Sequence, residues 1–218
     1  MPIIFHYGAG SAYAWRVWLA LEHKGLPYDI KVISFAAGDN RKPEFLALNP
    51  RHKVPVLVDG SADDPLVLYE SSAIVEYLDD AYADSGKRLF PGNARNRALT
   101  RRLVCEADNY FAPALDRVVQ RVLFKSQADW DADKIDAARN GFVEELSLWH
   151  ERIGGEFLAG DLSAADFTLY PMMAMALRCE KKKPDLELRS AIPAKLGAWM
   201  RRVETLPYFS KTWPAHWK

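Results

Sequence analysis

The strand-forming runs of this 218-residue chain all lie before about residue 85, and the rest of the chain is patterned as helix. In the first part, short apolar runs rich in β-branched residues alternate with apolar residues at helical spacing. These patterns predict strands at residues 2–7, 28–34, 54–58 and 66–68, and helices at 14–24, 43–48 and 74–81. The predicted order is therefore β-α-β-α-β-β-α, a small mixed sheet with helices packed on it.

The second part carries apolar residues at helical spacing over four long stretches, at residues 99–122, 135–153, 163–178 and 193–205. Pro113 predicts a bend in the first of these helices. Serine, glycine and proline punctuate residues 85–93. The chain is thus predicted to be α+β, with a mixed domain at 1–84, a linker at 85–93 and an all-helical domain at 94–218.

The charge and cysteine content exclude several classes of function. The 29 basic residues cancel the 29 acidic ones, so no net field attracts nucleic acid or an anionic membrane. Two cysteines and five scattered histidines do not provide the spacing of a metal site, and we expect no metal cofactor. No apolar stretch reaches the ~20 residues of a membrane span. We therefore expect a cytoplasmic protein without membrane partners.

Two segments place serine where a strand runs into a helix. Ser11 follows the glycine-rich turn after the first strand, and Ser71 follows Glu70 after the fourth strand. Each serine can be an ordinary N-cap, but a helix N-terminus also binds anions through its free N–H groups. With Glu70 able to accept an ammonium group, the second segment suits the zwitterionic end of an amino acid.

The dipeptide Val54-Pro55 interrupts a predicted strand, because proline cannot donate to the strand ladder. A cis bond there would turn the backbone N–H and C=O groups of Val54 outward, where an extended peptide could pair with them. The alternative is an ordinary proline at the start of a strand.

Residues 160–166 carry a folding signal. Ser163 and Asp166 have the spacing of a capping box, and Leu162 and Phe167 have the spacing of a hydrophobic staple at the start of the third long helix. This pattern predicts stability rather than catalysis.

Taken together and in this order, these segments resemble a cytosolic glutathione transferase over essentially the full chain. Residues 11–17 are similar to the active-site segment of serine-type classes such as zeta and tau, and residues 49–57 are similar to the cis-proline segment of the family. Glu70-Ser71 resembles its γ-glutamyl-binding pair, and residues 160–166 resemble its helical-domain capping box. The resemblance implies a zeta- or tau-like enzyme of bacterial or plant type. Its fold would be a thioredoxin-like domain followed by an all-helical domain.

The resemblance also implies the ligand and the residues that hold it. Glutathione would be the co-substrate, with Val54 and Pro55 placing a backbone that pairs with its cysteinyl part. Glu70 would accept the γ-glutamyl ammonium and Ser71 the α-carboxylate. The glycyl carboxylate would meet Lys53, with Lys42 assisting.

Ser11 is the implied catalytic residue, since its hydroxyl would donate to the sulfur, and Tyr7 is the runner-up from the tyrosine-type classes. Two departures narrow the reaction. Ala12 and Tyr13 stand where zeta enzymes have serine and cysteine, which argues against zeta-type isomerisation. No cysteine precedes Cys105, so the loop offers no thiol for mixed-disulfide chemistry.

The resemblance further implies a homodimer and a second pocket for a small hydrophobic electrophile. Its candidate lining residues are Tyr13, Tyr110, Phe111 and Arg117. Asp108 would reach the γ-glutamyl group across the dimer. The leading function is conjugation of glutathione to the electrophile. The alternatives are a non-catalytic binding or scaffold protein of the same fold, or a glutathione-dependent peroxidase, isomerase or ether-cleaving enzyme.

Overall fold

A computed structural model describes residues 3–60 and 64–217. Met1, Pro2, residues 61–63 and Lys218 lie outside the described residues, and with them the first residue of the predicted strand 2–7. The chain forms two compact units, one of Met1–Leu89 with Pro207–Lys218 and the other of Phe90–Leu206.

The first unit contains a four-stranded sheet in the order β2-β1-β3-β4. Strand β1 (Ile3–Tyr7) pairs in parallel with β2 (Tyr28–Val32) and antiparallel with β3 (Val56–Gly60). Strand β3 pairs antiparallel with β4 (Pro65–Tyr69). The predicted mixed sheet and the order of its strands along the chain are confirmed.

Three helices of this unit also match the predicted order: α1 (Ala12–Lys24), α2 (Pro43–Leu46) and α3 (Ser71–Ala81). Helix α1 ends at Gly25, whose φ of 63° lies in the left-handed region that glycine adopts without strain. Both faces of β1 are covered, because the Tyr7 ring packs on Trp18 of α1 and the His6 ring packs on Phe45 of α2.

The end of the first unit is tied down by a buried carboxylate. Asp79 on α3 accepts hydrogen bonds from the Arg88 guanidinium at 2.6 Å and from the Leu89 backbone N–H at 2.6 Å. A buried carboxylate requires such partners. Residues 85–89 of the predicted linker are therefore part of the first unit.

The second unit is built of helices: α4 (Ala94–Glu106), α5 (Ala112–Val122), α6 (Ala132–Trp149), α7 (Ala164–Lys182), α8 (Leu188–Ala191) and α9 (Ala194–Glu204). A π-helical turn, Ala107–Phe111, joins α4 to α5. Pro113 lacks the N–H that an α-helix requires there, and the Ala112 N–H donates to Ala107, five residues back. The predicted irregularity at Pro113 therefore takes the form of a wider turn just before it.

The predicted helical domain 94–218 extends further than the second unit does. Helix α10 (Phe209–Thr212) and the 3₁₀ turn Ala215–Trp217 belong to the first unit. The physical reason is that the aromatic side chains of this C-terminal segment pack against the buried indole of Trp15 on α1.

The predicted capping box at the start of α7 is confirmed. The buried Asp166 carboxylate accepts from the Ser163 backbone N–H at 2.9 Å, from the Leu158 N–H at 3.0 Å and from the Trp199 indole N–H at 2.7 Å. Burial raises the pKa of Asp166 to about 6, although all of these donors oppose the shift. One side chain thus joins the 158–163 loop to α7 and α9.

No helix within the described residues is long and apolar enough to cross a membrane.

We expect Asp166→Ala to destabilise the protein strongly, because it leaves three buried N–H donors unpaired. At about 1–3 kcal/mol for each such donor, the free energy of unfolding should fall by at least about 3 kcal/mol. Asp161→Ala, at an exposed position in the same loop, is the matched control and should change stability by less than about 0.5 kcal/mol. Urea unfolding followed by tryptophan fluorescence measures both, and equal midpoints would contradict the structural role of Asp166.

Candidate active site

Ser11 lies at the junction of β1 and α1. It is the N-cap of α1, and its Oγ accepts the Ala14 backbone N–H at 3.2 Å. Its own N–H donates to the Gly8 carbonyl at 3.1 Å, which closes the turn between strand and helix. As an acceptor in this cap, the hydroxyl keeps its proton for donation to a ligand.

Gly8 brings the Ser11 turn against the Val54 segment. A β-carbon at Gly8 would lie 2.6 Å from Val54 Cγ2 and 2.8 Å from the Phe35 ring. Because such a contact is far inside van der Waals distance, only glycine allows this approach. The turn that carries Ser11 and the segment before β3 are therefore neighbours.

Tyr7, the alternative catalytic residue, lies in the core. Its ring packs on Trp18 with 4.9 Å between centroids, and its hydroxyl is buried. Burial raises the pKa of Tyr7, an effect that the backbone N–H of Gly10 partly opposes. A ligand at the surface would meet the half-buried Ser11 rather than this hydroxyl.

The peptide bond between Val54 and Pro55 is cis, as the resemblance implied. Two asparagines hold the loop that precedes it. The buried Asn49 donates to the Lys53 carbonyl at 2.7 Å, and Asn40 donates to the His52 carbonyl at 2.9 Å. These bonds fix the backbone on the approach to β3.

Glu70 stands at the N-cap of α3 with a φ of 71°, in the left-handed region that non-glycine residues rarely adopt. Its carbonyl accepts the Ile74 N–H at 3.0 Å, and its side chain is exposed. Backbone conformations of this kind concentrate at binding sites. Ser71, the first residue of the helix, is buried beside it.

The strand register gathers these segments at one end of the sheet. His6 pairs with Val56, and Val56 pairs with Tyr69. Since β3 runs antiparallel to both neighbours, the chain segments after β1, before β3 and after β4 all lie at the same end of the sheet. Ser11, Val54 and Glu70 therefore lie on neighbouring loops.

The two lysines of the predicted site differ. Lys53 is exposed at the end of the 49–53 loop. Lys42 is half-exposed and forms an ion pair with Asp39 at 2.6 Å. Asp39 raises the pKa of Lys42 through this hydrogen bond, so Lys42 already has an anionic partner within the chain.

The candidates for the second pocket divide in the same way. Tyr13, 43% exposed, lies on α1 under the Arg16 guanidinium. Phe111 is fully buried between Phe142 and Trp149, in the core of the helical unit. The Phe111 ring is thus part of the helical core, and its role in a substrate pocket stays a prediction.

On the helical unit, Tyr110 is 63% exposed and Arg117 is also exposed, whereas Asp108 is half-buried in the π-helical turn. The roles predicted for these three residues stay predictions.

Sequence analysis missed the C-terminal segment, although four aromatic residues between Tyr208 and Trp217 could have indicated a packed element. A β-carbon at Gly10, one residue before Ser11, would lie 2.9 Å from Nε2 of His216.

Within residues 3–60 and 64–217, no cluster of histidine, cysteine or acidic side chains is arranged to hold a metal ion.

Comparison with known proteins agrees with this architecture. Residues 10–81 match the model of the glutathione S-transferase N-terminal domain. Glutathione S-transferase 3 of Zea mays is 30% identical over 203 residues, with 90% of this chain and 86% of that protein covered. Glutathione S-transferase A of Pleuronectes platessa is 28% identical, with 97% of this chain and 91% of that protein covered.

A solved structure shares the whole fold. The glutathione transferase of Burkholderia graminis, crystallised with two glutathione molecules bound per subunit, superposes with a TM-score of 0.84 at 23% identity, over 97% of this chain and 87% of that one. The chain belongs to the glutathione S-transferase family, and its first unit has the thioredoxin-like fold of that family.

Proposed function

We propose that this glutathione transferase activates the thiol of glutathione with the Ser11 hydroxyl and transfers it to small hydrophobic electrophiles. The observation that carries the proposal is the position of three loops at one end of the sheet. One of these loops carries the N-capping hydroxyl of Ser11. Family membership supplies the co-substrate, and the geometry of each loop matches one part of the tripeptide.

The cysteinyl backbone of glutathione would pair with the main chain of Val54, as an added strand next to Pro55. The ammonium of the γ-glutamyl end would bind the Glu70 carboxylate. Its α-carboxylate would bind the Ser71 hydroxyl and the N–H groups that begin α3. At the other end, Lys53 is the better candidate for the glycyl carboxylate, since Lys42 is held by Asp39.

The thiol requires only modest help to ionise. A free thiol has a pKa near 8.5, and lowering it by about two units takes roughly 2.7 kcal/mol of preferential stabilisation of the anion. A hydroxyl donating to an anion supplies roughly 1.5–3 kcal/mol, and the α1 N-terminus adds about 0.3–1 kcal/mol. Ser11 and its helix are therefore sufficient to hold a thiolate.

Burial disfavours Tyr7 as the catalytic residue. The buried hydroxyl of Tyr7 is less accessible to a sulfur atom at the surface than the half-buried Ser11. The exposed ring of Tyr13, two residues after Ser11, is the candidate in the first unit for contact with the electrophile.

The protein forms a homodimer through the β4 edge of the sheet. Both β2 and β4 are edge strands, and unpaired edges promote association. Strand β2 carries the charges of Asp29 and Lys31, whereas every residue of β4 is uncharged and Leu66 is 41% exposed. The uncharged edge is therefore the one that a second copy would cover.

We expect Ser11→Ala to lower kcat/KM for conjugation roughly 10- to 100-fold, because it removes a charge-assisted hydrogen bond. Glutathione affinity should stay within threefold. Ser11→Thr keeps both hydroxyl and helix cap and should retain most of the activity. Tyr7→Phe removes only the buried hydroxyl and should act as wild type. Stopped assays with an aryl halide measure all three. A fully active S11A protein, or an inactive Y7F protein, would contradict the assignment.

We expect Glu70→Gln to weaken glutathione binding about tenfold or more, since the ammonium loses an ionic partner. Glu44→Gln, an exposed change on α2, is the control. Calorimetry with N-acetylglutathione sharpens the test. This ligand lacks the ammonium, so wild type and E70Q should bind it equally. If E70Q discriminates between the two ligands as wild type does, the ammonium site lies elsewhere.

We expect the wild-type protein to elute at about twice its 24.7 kDa chain mass in size exclusion with light scattering. Leu66→Lys should shift it to the monomer, because it places a charge on the proposed interface. Val32→Lys, on the other sheet edge and 64% exposed, is the matched control. A monomeric wild type, or a dimer that survives L66K and not V32K, would exclude the β4 interface.

A further inference from the structure

The C-terminal segment, residues 207–217, is anchored on α1 by an aromatic cluster. The buried Thr212 accepts the Trp15 indole N–H at 2.9 Å. Trp213 and Trp217 stand edge-on to Trp15, with ring centroids 5.3 Å and 5.6 Å from it. This packing fixes the segment beside the first turns of α1.

Two polar contacts hold the other end of the segment. The Tyr208 hydroxyl lies 2.7 Å from Nδ1 of His23, and Lys211 forms an ion pair with Glu22 at 2.6 Å. Both partners lie in the last turns of α1. The segment is therefore tied to both ends of the helix that Ser11 caps.

The anchoring places His216 against the catalytic turn. A β-carbon at Gly10 would lie 2.9 Å from His216 Nε2 and 3.1 Å from Trp217 Nε1. Gly10 also has a φ of 82°, so both its conformation and this contact require glycine. The His216 side chain is exposed on its other side. A titratable imidazole thus stands at the residue that precedes Ser11.

We propose that His216 accepts the proton of the glutathione thiol when the thiolate forms, a role that rests on the proposed function. The S–H bond breaks, its electron pair stays on sulfur, and the proton binds the imidazole. The thiolate then forms a carbon–sulfur bond with the electrophile, expelling its leaving group with the electron pair of the broken bond. The imidazolium releases its proton to water.

Ser11 stabilises the thiolate but does not itself take the proton, because its hydroxyl must stay protonated to donate to sulfur. Without a base the proton of the thiol passes to water, and a base at this turn would accept it more readily. An imidazole, with an ordinary pKa near 6.5, is suited to this at neutral pH. Once charged, it also attracts the thiolate.

Other titratable and charged side chains lie on the elements packed around this segment. Glu22 and Lys211 neutralise each other, His23 is buried against Tyr208, and Tyr7 lies in the core. Arg16 is buried in α1, with its guanidinium over Tyr13. These groups are His6 and Tyr7 on β1, Arg16, Glu22, His23 and Lys24 on α1, and Tyr208 and Lys211 in the segment itself.

The test is the pH dependence of conjugation in His216→Gln. We expect kcat/KM to fall about tenfold at pH 6.5 and less than twofold at pH 9, where the thiol ionises without assistance. The KM for glutathione should change by less than twofold. His150→Gln, in the second unit, is the control and should follow the wild-type profile. A profile that overlays wild type, or a loss equal at every pH, would overturn the proposal.

A second measurement needs no folded variant. The imidazole resonances of His216 are followed by NMR in the wild-type protein as the pH changes. Bound glutathione should move the midpoint of the His216 titration to higher pH, because the thiolate stabilises the imidazolium. Bound S-methylglutathione, which has no ionisable thiol, should not. Identical midpoints with the two ligands would overturn the proposal even if H216Q failed to fold.

The outcomes separate the two levels of inference. If S11A lowers kcat/KM for conjugation as expected while H216Q keeps the wild-type pH profile, the role of His216 is refuted and the proposed function stands. If the wild-type protein neither binds nor conjugates glutathione, both are refuted.

Discussion

The pairing of β3 with both β1 and β4 is the constraint on which the site depends. His6 pairs with Val56 and Val56 with Tyr69, so the loops next to these residues lie at the same end of the sheet. A slip of one residue in either pair would reverse the faces of a whole strand. It would carry Val54 away from the Gly8 turn or Glu70 away from both. The register therefore builds the site before any side chain contributes chemistry.

The opposite ends of these elements are fixed by buried polar groups, which stops the register from slipping. Asp59, near the end of β3, accepts hydrogen bonds from the hydroxyls of Tyr77, in the second half of α3, and Tyr82, directly after the helix. Burial, together with this carboxylate, raises the pKa of Tyr77 to about 12, so the phenol remains a donor. Helix α3 is thereby attached to the sheet at its C-terminal end, opposite to the end that Glu70 and Ser71 occupy.

Local patterns in the sequence were enough to predict the four strands, the long helices and some of their ends. The Ser11 cap, the Gly25 terminus of α1 and the Ser163–Asp166 box depend on neighbours within a few residues, and each forms as predicted. Side-chain environment depends on distant parts of the chain. Helical spacing predicts Tyr110, not Phe111, on the apolar face, but at the π-helical turn Tyr110 is 63% exposed and the Phe111 ring packs on Phe142 and Trp149. No local pattern contains that information.

The C-terminal segment shows the same limit most clearly. Helical elements of four and three residues are too short for their apolar periodicity to predict them. The sequence near residue 210 also does not indicate that this segment packs on Trp15. Yet this long-range packing decides the surroundings of the turn that carries Ser11, because Gly10 leaves just enough room for His216 and Trp217. The glycine that permits a tight turn after β1 also admits the end of the chain. The environment of Ser11 is therefore assembled from both termini, and chemistry at this position is sensitive to residues two hundred positions away.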